Sequence, residues 1–188
     1  MLVSSMRWFE TDKGDPRCRA LADRHYTRQT VGHPLWTRPG YNFSLYTESL
    51  KGSAVFNWWR PKWEADVQRQ DGLMAIECTI FRNETGWLSS VLIAEAVAAV
   101  QTWGRYEDGT TLITAVQSKK TTKGRSRASP PGACFVHAGW EVFDHVGGGK
   151  PDVWLRCAHL ANPIAPRLER RGQMVFIYPA SHPLASRH

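Results

Sequence analysis

The chain has 188 residues, 42% of them hydrophobic and 22% charged, with a formal net charge of +7 at pH 7. That is enough for one domain with a sizeable core and short for two, and the balance is ordinary for a soluble globular protein. The positive surplus either draws polyanions, nucleic acid first, or simply keeps the protein dissolved.

Cys18, Cys78, Cys134 and Cys157 are widely spaced and form no CxxC pair, which argues against a zinc ribbon or a dithiol redox motif. Buried thiols in a reducing compartment are the expectation. There is no long uncharged apolar run, and the first residues lack a signal-type apolar core. A cytoplasmic protein with no membrane partner is expected.

Asp15 and Pro16 make a cap and first-turn pair that opens a helix reaching about residue 26. Cys18, Leu21, Ala22 and His25 share one face of it, so His25 is expected to point with the core. Pro and Gly punctuate a long loop from 27 to 40, and strands over 41–47 and 53–60 then form an antiparallel hairpin. Residues 73–81 read as a central strand, apolar on both faces apart from Glu77 and Thr79. A helix capped by Ser89 or Ser90 follows, with a stripe of Leu88, Leu92, Ala96, Ala99, Val100 and Trp103. The next strand, 111–117, must lie parallel to the central one across a right-handed crossover. A basic loop leads to a short helix over 132–138 and a hairpin of 140–145 with 153–158. A helix over 162–171 and a strand over 173–178 complete a single expected domain spanning 1–188.

Four constellations carry chemistry. The turn Arg82-Asn83-Glu84-Thr85-Gly86-Trp87-Leu88-Ser89-Ser90 joins a strand to a helix N-terminus, whose N–H groups and dipole suit a pyrophosphate. Arg82 adds a bidentate phosphate donor. Arg24, His25, Tyr26 and Arg28 gather base, phenol and cations at a helix end, a mixture costly to bury and suited to a site. The plainer reading of His25 is a core histidine bonded to backbone.

Glu77 stands mid-strand among apolar residues, either paired with an Arg such as Arg82 or facing a cleft as a general base. Lys119, Lys120, Lys123, Arg125 and Arg127 make a phosphate-contacting arm or a solvated loop. Trp36, Trp58, Trp59 and Trp63 either stack an extruded base or fill the core.

With Ala133-Cys134-Phe135-Val136-His137-Ala138-Gly139-Trp140 ahead of a hairpin, this order of elements resembles the GNAT superfamily of N-acyltransferases. Phe81-Arg82-Asn83 with Leu88-Ser89-Ser90 and the 131–140 run are shared with many acyltransferases. The segment Ala20-Leu21-Ala22-Asp23-Arg24-His25-Tyr26-Thr27-Arg28, with its His25-Tyr26 element, narrows the resemblance to phage DNA-modification proteins of the Mom type, divergent members of that superfamily. The resemblance spans roughly residues 20 to 158. It implies a GNAT-like α/β fold: a mixed, mostly antiparallel sheet splayed at one parallel strand pair, with helices on both faces.

It further implies an acyltransferase-like enzyme that modifies the exocyclic N6 of adenine in double-stranded DNA and protects phage DNA from restriction. The implied catalytic residues are His25, Tyr26 and Glu77. The donor, acyl-CoA (acetyl-CoA or another), is expected on Arg82, Asn83, Gly86, Leu88, Ser89 and Ser90. A divalent metal, iron in particular, is associated with the family, and the sequence assigns it no ligands. Phe135 departs from the pattern: many superfamily acetyltransferases carry there a Tyr that protonates the leaving thiolate. The alternatives are a conventional acyl-CoA N-acyltransferase acting on a small amine or lysine, and a non-catalytic DNA-binding module on the same fold.

Overall fold

The structure, a computed structural model, describes residues 7–62, 75–108, 110–117, 131–144 and 153–157. Its strands are β1 (Phe9–Thr11), β2 (Tyr41–Ser49), β3 (Gly52–Arg60), β4 (Ala75–Asn83), β5 (Thr111–Val116), β6 (Trp140–Asp144) and β7 (Val153–Cys157). Its helices are α1 (Pro16–Ala22), α2 (Ser89–Val100) and α3 (Ala133–His137). The strands form one sheet in the order β1-β2-β3-β4-β5-β7-β6. Every neighbouring pair is antiparallel except β4 and β5, which α2 connects as a parallel crossover. The mixed, mostly antiparallel α/β architecture is therefore the expected one. The expected elements over 162–171 and 173–178, the basic loop and Trp63 lie outside the described residues. Among the described residues no helix is long and apolar enough to cross a membrane.

Alternation along β3 divides the core into two layers. Ala54, Phe56 and Trp58 pack with Leu92, Ile93 and Ala96 of α2, whereas Val55 packs with Cys18, Leu21 and Ala22 of α1. The tryptophans belong to this core. Trp36, Trp58 and Trp59 are buried, and each indole N–H is donated to a backbone carbonyl, of Asp12, Ala96 and Pro39 respectively. None of the three is available to stack a base.

Two local departures from the sequence expectation have physical causes. Asp15 caps α1 as anticipated, accepting from the Arg17 N–H at 2.8 Å. The helix nevertheless stops at Ala22, because Asp23 accepts from Arg28 at 2.6 Å and from the Gly32 N–H at 3.0 Å, which draws the chain into the loop. His25 consequently sits in the turn after α1 rather than on its face. β4 runs on to Asn83, so Arg82 and Asn83 are strand residues paired with Val55 and Ala54. The short edge strand β1 was not anticipated.

β4 carries one extra residue. Trp58 faces Cys78 while the next partner pair is Asn57 with Ile80, which leaves Thr79 without an opposite number. Such a bulge reverses the facing of everything beyond it. Ile76 and Cys78 pack on the α2 side, but Ile80 packs on the α1 side and Phe81 returns to the α2 side. A buried side-chain network holds the bulge. Asn57 donates to Thr79 Oγ1 at 2.8 Å and to Asn42 Oδ1 at 3.1 Å, and accepts from Ser44 at 2.9 Å.

Replacing Asn57 with Leu keeps the volume and strands three polar partners. Urea unfolding should show a loss of about 1–3 kcal/mol. Unchanged stability would mean that the network does not hold the bulge.

Candidate functional site

The two parallel strands pair only over Ala75–Cys78 and Thr111–Thr114. Past those residues β4 continues beside β3, and β5 continues beside β7. A cleft of about 340 Å³ opens between them at their C-terminal ends, the position where sheets containing parallel strands take ligands. Cys78, Thr79, Phe81, Arg82 and Asn83 form one wall, and Thr114, Ala115 and Val116 the other. Ser89 of α2, Gly132 before α3, and Cys134 and Phe135 within α3 line it too, as do His25 and Tyr26 from the turn after α1.

Five of the expected site residues thus meet in one place: His25, Tyr26, Arg82, Asn83 and Ser89. Thr27, Cys78, Thr79, Thr114 and Cys134 were missed as site residues. Only Thr79 had left a sign, as a polar residue in an apolar strand.

His25 is partly buried, with Nδ1 2.7 Å from Thr27 Oγ1. That hydroxyl in turn reaches the carbonyl of the bulged Thr79 at 3.3 Å. The imidazole stacks on Tyr26 with centroids 4.4 Å apart. Burial first, and the nearby Arg82 charge second, push its pKa down to about 4 against a backbone hydrogen bond at Phe81. His25 is therefore uncharged at neutral pH.

Arg82 is a strut as much as a donor. Its Nε donates to Glu84 at 2.6 Å, and another guanidinium nitrogen donates to the Arg24 carbonyl at 2.7 Å. Arg24 donates to Glu84 at 2.7 Å. The Arg24 guanidinium, joined by Arg82, holds the Glu84 carboxyl below its ordinary range despite partial burial. This triad pins the His25 turn to the end of β4.

The turn between β4 and α2 consumes much of its own hydrogen-bonding capacity. Asn83 Oδ1 accepts from the Thr85 N–H at 2.9 Å, and its Nδ2 donates to the Trp87 carbonyl and to Ser89 Oγ. Thr85 Oγ1 takes the Trp87 N–H at 3.1 Å, and the Ser53 carbonyl takes the Glu84 N–H at 2.9 Å. Asn83 is a turn-building residue, and Leu88 rather than a serine is the cap of α2. Anion-binding capacity remains at the first turn of α2, which carries no acidic residue. Gly86 adopts φ +80° beneath the Lys51 side chain, and neither it, Leu88 nor Ser90 lines the cleft.

Glu77 lies outside the cleft lining. It is buried and pairs with Arg38 at 3.3 Å, so its partner is not Arg82. Phe135 is wedged between Phe81 and Trp140, at centroid distances of 6.0 and 4.9 Å, and offers no proton. Among the described residues no three His, Cys, Asp or Glu side chains converge as a metal ion would require.

No protein-family model matches the chain, and no curated protein or solved structure does either.

An imidazole held at about 4 in the fold, against an ordinary 6.5, makes the unfolded chain the better proton binder between those values. The stability this group contributes is complete above pH 6.5, falls as the pH drops towards 4, and is level below that. The loss is on the order of 3 kcal/mol at 1.36 per pKa unit. His25→Gln should remove that part of the pH profile in urea titrations. Superimposable slopes for the two proteins would contradict a partly buried, uncharged His25.

Proposed function

We propose that this protein transfers a small acyl-derived group to the exocyclic N6 of adenine in DNA. The observation that carries this reading is the attachment of the most basic segment. The chain leaves the cleft lining at Val116 and re-enters it at Gly132. Between those points, residues 118–130 hold Lys119, Lys120, Lys123, Arg125 and Arg127 and no acid. The described residues Val116 and Gly132 that flank this five-cation stretch thus belong to the walls of the cleft. Phosphate neutralisation by such a stretch favours a nucleic-acid backbone, and brings a base edge to the neighbouring cavity.

An amine buried in a duplex must first leave the stack to be modified. In the cleft it then attacks the acyl carbon of the donor, and a proton has to leave the nitrogen as charge develops on the acyl oxygen. Collapse of that oxyanion breaks the bond from the acyl carbon to the donor's leaving group, for a thioester a thiolate that departs to solvent and is protonated there. Uncharged His25, with Thr27 Oγ1 2.7 Å from Nδ1, supplies a short path for that proton. Tyr26, stacked on the imidazole, presents a phenol to the developing oxyanion. A thioester donor such as acyl-CoA would rest its phosphates on the N–H groups opening α2, with Arg82 adjacent. In a phage-infected cell, adenine altered in this way would resist restriction.

Mass spectrometry of nucleosides from DNA of cells expressing the protein tests the reading. A new adenine derivative is expected with the wild type. His25→Gln and Tyr26→Phe should each lower it by about 10²-fold, a typical acid–base effect, with soluble yield maintained. Neutralising all five cations of residues 118–130 should also abolish it. Absence of any modified adenine with the wild type would refute the proposal, and near-normal levels in both point variants would move the chemistry away from His25 and Tyr26.

A further inference from the structure

The cleft holds two thiols that the proposed chemistry does not use. Cys78 lines it from β4 and Cys134 from α3, and neither is part of a disulfide. The spacing of the cysteines in sequence gave no hint of a pair; the fold brings both to the lining of one cleft. Cys134 packs against the same hydrophobic cluster that holds Cys78, whose thiol is pushed well above its ordinary range chiefly by burial. Their exposures differ, Cys78 being buried and Cys134 partly open. Cys18, the other thiol with described surroundings, is remote from the cleft in the α1 layer, where burial pushes it to about 12.

We propose that Cys78 and Cys134 form a thiol–disulfide exchange site that reacts with low-molecular-weight disulfides, such as oxidised glutathione, and seals the cleft. The more accessible Cys134 reacts first. Its thiolate bonds to one glutathione sulfur, the glutathione disulfide breaks, and the other glutathione departs as a thiolate and takes up the proton that Cys134 lost. Cys78 then loses its proton and attacks the Cys134 sulfur, and the second glutathione leaves as a thiol. Two protein thiols give up two electrons and two protons, and one glutathione disulfide becomes two thiols. The order follows from burial, since thiolate character and access govern which cysteine attacks. The new bond would tie α3 to β4 across the cleft that both cysteines line, so the oxidised form has a closed site. This inference stands on the cleft geometry and does not require the DNA reading.

The full-length protein is treated under native conditions with oxidised glutathione, blocked with an alkylating reagent, digested and mapped by mass spectrometry. The expected product is a peptide pair linked through Cys78 and Cys134, released by dithiothreitol, with Cys18 alkylated only after unfolding. In Cys78→Ala the resolving thiol is gone, and glutathione should remain attached to Cys134. Glutathione retained on Cys134 in the wild type, a link to another cysteine, or no reaction at Cys134 would each overturn the proposal. Modified adenine measured separately in the same cells reports on the DNA reading, so failure of one leaves the other standing.

Discussion

One extra residue in the central strand sets the rest of the site. Between Cys78 and Ile80, β4 inserts Thr79 with no partner on β3, and every side chain beyond it changes face. The insertion is secured by an amide, Asn57, that spends its hydrogen bonds on Thr79, Asn42 and Ser44 inside the sheet. Polar groups buried in this way are tolerated only when satisfied, and a satisfied network fixes a single register. Beyond the bulge β4 keeps its pairing with β3 and loses β5. The carbonyl of Thr79 meets Thr27 and, through it, His25. The same residue therefore parts the strands and anchors the turn that carries the imidazole.

Electrostatics then divides the molecule. In the described part, cations are largely answered close by: Arg24 and Arg82 by Glu84, Arg28 by Asp23, Arg38 by Glu77 and Arg17 by Asp15. These pairs build the fold, and exposed ones among them contribute little individually. In the sequence, residues 118–130, between the cleft-lining Val116 and Gly132, add five further cations and no acid.

The coarse fold was legible because its signals are long and periodic. The apolar run around Ile76–Ile80, the helical stripe from Leu92 to Val100 and the strand at Thr111–Val116 force a parallel crossover whatever surrounds them. The site was legible in part. His25, Tyr26, Arg82, Asn83 and Ser89 do converge, but Asn83 and Arg82 serve the turn as well as the cleft. Glu77 was misread in its partner, since Arg38 comes from a loop whose path no local pattern predicts. The bulge itself was invisible. A strand apolar on both faces hides a change of facing, because alternation gives no reference against which the slip would show. Trp36, Trp58 and Trp59 were ambiguous for a similar reason: an indole fills a core or meets a base equally well, and only the carbonyls of Asp12, Ala96 and Pro39 decide.

If Thr79 parts the two parallel strands, the consequence is written in the backbone amides of the wild-type protein. Residue-resolved hydrogen exchange should find the Glu77 and Cys78 amides slow, flanked by strands on both sides. From Thr79 to Asn83 protection should alternate, slow for amides bonded to β3 and fast for those turned towards the gap. Uniformly slow exchange from Ala75 through Asn83 would mean that β4 and β5 stay paired along their length, and the cleft on which this account rests would not exist.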